Sequence, residues 1–187
     1  MEYFEIFDLP PKLNVDRDLL QRRFHDLSRQ HHPDYHTTHS GEEQERALRT
    51  TALLNDAYRT LRDSTRRVEY LIESQGVVID GSKVPQALLA EVFEINEELE
   101  ELRLARAKGD PGGSAIKSLE QFRSVLAAKR HAYEAELNVA ARTWDDLVDA
   151  DANDDARKEQ ISKLADIVAQ SAYLRNLERE IESEVSG

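Results

Sequence analysis

The sequence contains no cysteine, which excludes disulfides, a thiolate nucleophile, thiolate-held zinc and cysteine-held iron-sulfur clusters. Any cluster would have to belong to a partner. Glycine and proline are scarce, at 7 and 5 of 187 residues, and aromatic residues make up 6%. With long stretches free of β-branched runs, the balance of propensities favours helix almost throughout, and an all-α fold is expected. No apolar run approaches the ~20 residues needed to cross a bilayer. The opening Glu2-Tyr3-Phe4-Glu5 is neither a signal peptide nor a basic presequence, so the chain reads as cytoplasmic.

What the chain does have is charge. Hydrophobic residues at 40% and charged residues at 33% describe an ordinary globular protein, with a formal net charge of −12. Residues 1–75 hold 11 Lys and Arg against 14 Asp and Glu, so −9 of the −12 falls in the remainder. An acidic second half argues against nucleic acid or an anionic membrane as the main partner, because both require clustered cations. A protein partner is expected instead.

Four short helical segments precede residue 75. Glu2 to Asp8 is stopped by Pro10-Pro11. Leu20, Phe24, Leu27 and His31 then form the stripe of an amphipathic helix from about Asp16 to His31, ended by Pro33. A third helix opens with Ser40 and Glu43 as a capping box and is striped by Ala47, Thr51, Leu54, Tyr58 and Leu61. It should pair with the second as an antiparallel hairpin. A fourth, from Ser64 to Glu73, turns Val68, Leu71 and Ile72 inward. Gly76, Gly81 and Pro85 mark a connection, so the expected division is 1–75, a linker at 76–84, and a second domain at 85–187. In that domain Leu88, Val92, Ile95, Leu99 and Leu102 predict a helix to about Lys108. Leu119, Phe122, Leu126, Tyr133, Leu137 and Ala140 predict a second of similar length. After an acidic loop from Asp145 to Asp155, a third runs from about Ala156 to Glu184, its apolar positions drifting between two faces. Three such helices with short links read as an antiparallel bundle.

His32-Pro33-Asp34 lies where the second helix stops. Proline fixes the local backbone, so His32 and Asp34 point outward from a rigid turn and Asp34 is free to meet a cation on another protein. Arg22, His25, Asp26 and Arg29 lie off the apolar stripe and give an exposed, mildly basic face. An isolated His-Pro-Asp is most simply a helix stop with a capping Asp. In the second half, Leu89 and Phe93 fall off the inner stripe, next to Glu97 and near Ala90, Glu94 and Glu101. Periodicity leaves two readings open: a recognition patch with an apolar centre and charged rim, or a wide stripe packed on the other helices.

The order of a short helix, a basic amphipathic helix, His-Pro-Asp, and a long helix followed by a fourth resembles the J-domain family over residues 1 to about 75. The whole chain is similar to the HscB co-chaperones of iron-sulfur cluster assembly. That likeness rests on Tyr3 to Pro10, Arg67-Val68-Glu69-Tyr70-Leu71, and Leu88 to Leu99. The resemblance implies a non-enzymatic co-chaperone without a cofactor of its own. His32, Pro33 and Asp34, with Arg22, Arg23 and Arg29, would dock on a DnaK/HscA-type ATPase chaperone and promote hydrolysis. Leu89, Ala90, Phe93, Glu94, Glu97, Glu101 and the aromatic Tyr173 would hold an IscU-type iron-sulfur scaffold protein. Ala90 departs from the family by being small, and arginines and histidines replace several of the lysines common in the second J-domain helix.

Two alternatives carry different consequences. A J-domain co-chaperone serving another client would share the first surface and not the second. A metal-dependent hydrolase would use His31, His32, Asp34, His36 and His39 as ligands. Thr37, Thr38, Ser40 and Gly41 around them offer no second shell to hold the imidazoles in register, which disfavours a metal. The glutamate-rich end and the Asp145 to Asp155 stretch read as solvated surface, and Trp144 as a packing residue near a helix end.

Overall fold

A computed structural model describes residues 2–31, 41–82 and 84–186. Among them the chain is helical: α1 (Glu2–Ile6), α2 (Arg17–Gln30), α3 (Gly41–Arg62), α4 (Ser64–Ser74), a 3-10 turn (Gln86–Leu88), α5 (Leu89–Ala107), α6 (Gly113–Asp149) and α7 (Asp154–Ser186). Side chains fix the helix starts. The Asp16 carboxylate accepts from the amides of Asp18 and Leu19, both at 3.0 Å, and Asp63 accepts from Arg66 N at 2.9 Å. The α3 capping box includes Ser40, which lies outside the described residues.

The residues fall into two compact units. The first comprises Met1–Val78 together with Ala140–Leu164. Its α2 and α3 run antiparallel: Phe24 stacks on Tyr58 with ring centroids 4.1 Å apart, and Thr51 Oγ1 donates to the His31 carbonyl at 3.2 Å. Both pairs satisfy one antiparallel register. Leu20, Leu54, Ala57, Leu61, Val68, Leu71 and Ile72 are buried. Phe4 and Phe7 bring the short α1 into the interior, and Tyr3 stacks on Tyr70 at 4.3 Å while its amide donates to the Tyr70 hydroxyl at 3.0 Å.

The end of α6 belongs to this unit as well. Trp144 is buried, and its indole N–H donates to the Pro11 carbonyl at 2.7 Å. The Asp145 carboxylate accepts from Leu13 N at 2.6 Å and Asn14 N at 2.8 Å, and Lys12 pairs with Asp149. These bonds correct the expectation of an acidic loop from Asp145. The helix continues to Asp149, and α6 has 37 residues against 19 in α5 rather than a similar length. Aspartate is a poor helix former, so the local pattern reads as a loop; the partners that hold these carboxylates lie far away in sequence.

The second unit comprises Ile79–Val139 and Ala165–Gly187. Leu88, Val92, Ile95, Leu99 and Leu102 meet Ala115, Leu119 and Leu126 of α6 and Leu174, Leu177 and Ile181 of α7 in one apolar cluster. Leu88 at the end of the 3-10 turn and Val92, Ile95, Leu99 and Leu102 of α5, the five positions that the periodicity marks, therefore face inward. Charged pairs close the edges: Lys129 Nζ to Glu91 Oε1 at 2.8 Å, and Arg103 Nη2 to Glu184 Oε1 at 2.6 Å. Glu184 is thus a partner within the fold rather than bare solvated surface. The two faces of α7 have a structural reason, since its buried positions turn from Ile161, Leu164 and Val168 to Leu174, Leu177 and Ile181.

Candidate functional site

The outer face of α2 is built by the burial of its other side. With Leu20 inside and Phe24 held on Tyr58, Arg22, His25, Asp26 and Arg29 are left exposed along one strip. Two of the three predicted arginines have neighbours that cancel charge. Arg23 Nη2 reaches Asp8 Oδ2 at 3.0 Å, turned toward the end of α1, and Arg29 Nη2 reaches Asp26 Oδ1 at 3.3 Å. Arg22 has no salt-bridge partner among the described residues. The strip is therefore more neutral than a count of arginines suggests. His32, Pro33 and Asp34, together with His36 and His39 of the metal alternative, lie outside the described residues. His31 is half-buried, and its described hydrogen bonds are through the backbone: its N–H donates to the Leu27 carbonyl at 3.0 Å and its carbonyl accepts from Thr51.

The α5 surface is fully described. Leu89 is 55% exposed and Phe93 64%, and neither belongs to the apolar cluster between the helices. At about 100° per residue, Leu89, Ala90, Phe93, Glu94, Glu97 and Glu101 span an arc of about 140°, opposite the arc of Leu88, Val92, Ile95, Leu99 and Leu102. All six are exposed. Tyr173 lies on α7 and is half-buried against the apolar cluster. Burial first, and Glu180 second, raise its phenol above the ordinary tyrosine value.

Glu94, Glu97, Glu98, Glu100 and Glu101 have no salt-bridge partner among the described residues, whereas Glu91 on the flank is held by Lys129. The Lys129 hydrogen bond is the main reason the Glu91 carboxyl lies below the usual glutamate range. Carboxylates repeated at i, i+3 and i+4 repel one another, by about 0.2–0.5 kcal/mol for each i,i+4 pair. A cationic surface laid along α5 would relieve that repulsion, and Leu89 and Phe93 would gain burial in the same contact. One further residue was missed from the sequence: Leu104, also on α5, is 50% exposed. Its signal was present, because it follows Phe93 by three whole turns.

No group of three or more potential metal ligands occurs among the described residues, and no described helix is long and apolar enough to cross a membrane.

Comparison with known proteins matches two families along the chain: the DnaJ domain over residues 2–70 and the HSCB C-terminal oligomerisation domain over residues 84–182. The chain is 33% identical to the co-chaperone protein HscB homolog of Vibrio cholerae serotype O1 (strain M66-2), over 100% of both chains. It is 32% identical to the homolog of Vibrio vulnificus (strain YJ016), over 80% of this chain and 86% of that one. Among solved structures it is similar to chaperone HscB from Vibrio cholerae, with a TM-score of 0.57 and 28% identity over 98% and 96% of the two chains. Human co-chaperone protein HscB is similar with a TM-score of 0.61 and 25% identity, over 98% of this chain and 81% of that one.

Proposed function

The chain belongs to the HscB co-chaperone family, and from that premise we propose that it stimulates the ATPase of a DnaK/HscA-type chaperone and delivers to it an IscU-type iron-sulfur scaffold protein. The protein forms and breaks no covalent bond in this reading. His32, Pro33 and Asp34, with Arg22, Arg23 and Arg29, meet the chaperone, and the α5 face with Tyr173 holds the client. The observation that carries the proposal is that one chain joins a DnaJ-domain match spanning His32 to Asp34 with a separate exposed face of Leu89, Phe93 and unpaired glutamates. Joining two binding surfaces on one chain raises the effective concentration of client at the chaperone without a new contact.

Steady-state ATP hydrolysis by the chaperone tests the reading. Adding the full-length protein should accelerate hydrolysis, more so with the scaffold present, and His32→Gln should return the rate to that of the chaperone alone. A mutant that stimulates as well as the parent would sink the assignment of the triplet. Stimulation that the scaffold does not enhance would point to a different client.

A further inference from the structure

Resting on the scaffold-binding reading above, a third apolar side chain changes the size and chemistry of the surface. Leu104 is 50% exposed on the same helix as Leu89 and Phe93, and the family resemblance does not include it. It lies within about 20° of Phe93 around the α5 axis and about 60° of Leu89. The three form one ridge. Glu97 and Glu100 fill the same arc between Phe93 and Leu104, with Glu94 and Glu101 beside them, all exposed.

A single exposed leucine is unremarkable on a protein surface. Three large apolar residues confined to one arc of a bundle helix are not, because the outer face of such a helix is ordinarily polar. We propose that the docking surface extends along α5 to Leu104. Its occupant is a folded protein face on which a stripe of Lys and Arg is bracketed by two apolar contact points about 16 Å apart, the rise of three helical turns. Charge selects this occupant. The carboxylates between the apolar ends repel nucleic acid and anionic membrane. They also oppose a second copy of the same face, which would set glutamate against glutamate.

Calorimetric titration of the full-length chain with the scaffold protein decides the matter, using Phe93→Ala, Leu104→Ala and, as control, Leu48→Ala, which changes a leucine 58% exposed on α3. Leu104→Ala should weaken binding about five- to twentyfold, as expected of an apolar contact at an interface, while Leu48→Ala stays within about twofold. A Glu97→Gln, Glu100→Gln double variant should bind with a visibly flatter salt dependence. If Leu104→Ala stays within twofold while Phe93→Ala weakens binding about tenfold, the extension is wrong and the scaffold-binding reading stands. If both stay within twofold, that reading fails and takes the inference with it. An unchanged salt dependence in the double variant overturns the basic stripe. All of these positions are solvent-facing, so matching thermal melts keep any loss of binding separate from loss of fold.

Discussion

Arg67 is only 6% exposed, and its guanidinium donates to carbonyls: Nε to Leu13 at 2.9 Å and Nη1 to Leu61. Desolvation, and then Arg17, push its pKa below the ordinary arginine value, with Asp145 and Asp63 acting in the opposite sense. Arg67→Met removes the charge but strands two carbonyls, and should destabilise the first unit by about 2–4 kcal/mol in urea melts. Periodicity identified Val68, Leu71 and Ile72 beside it but not the arginine, because a long charged side chain reads as surface until its partners are seen. The tyrosines set a pH dependence of their own. Burial is the first cause raising the pKa of Tyr70, Tyr133 and Tyr173. A raised folded pKa means the folded state holds its protons longer, so this stabilisation is complete below the unfolded value of about 10 and is lost as pH rises through the folded values. Unfolding free energy should therefore fall above about pH 10, in step with phenolate absorbance, and the triple Phe variant should flatten that limb.

Helix starts and helix edges are where the elements are most open to test. Gly112 precedes α6 with a φ of 72°, and a Cβ there would lie 2.5 Å from Leu102 Cδ1 in the apolar cluster. Gly112→Ala should cost about 2 kcal/mol or more, since it combines backbone strain with a clash against a buried side chain. Gly113→Ala, one position on, meets nothing within 4 Å and has no such φ, so it should be neutral or stabilising in the same denaturation series. Across the bundle edge, the Glu91–Lys129 pair links α5 to α6. A double-mutant cycle with Glu91→Gln and Lys129→Met should give a coupling of at most about 1 kcal/mol at neutral pH. Because the folded Glu91 pKa is lowered, that coupling is present above the unfolded glutamate value and disappears as pH falls through the lower folded one. The inner stripe of α5 was legible residue by residue, since a 3.6-residue period needs only local sequence. Whether Leu89 and Phe93 were packed or exposed was not legible, because that depends on where the other two helices lie.

At the scale of the whole molecule, the least legible feature is that Pro11 to Asn14 share a compact unit with the end of α6. Nothing in the periodicity of either segment announces it; the signal is a tryptophan and two aspartates whose partners are some 130 residues distant. A cut in the glycine-containing connection between Gln75 and Pro85 leaves every helix whole in sequence but parts Trp144 from the Pro11 carbonyl and Asp145 from the amides of Leu13 and Asn14. Fragment 1–75 should then unfold at lower urea than the same residues in the full chain, by about 2–4 kcal/mol for one buried indole contact and two charge-assisted bonds. Exchange at the Leu13 and Asn14 amides should quicken in parallel. Trp144 is the sole tryptophan, so fragment 84–187 carries its own reporter, and its emission should shift to the red of the full chain as the indole meets water. Trp144→Phe in the intact chain should reproduce only part of the loss, because the Asp145 bonds remain. Equal urea midpoints with unshifted emission would show that the contacts add nothing to the unit. If the loss is found, the chaperone and client surfaces have to be compared by point substitution in the full-length protein, since a severed half would report weakened folding along with weakened binding.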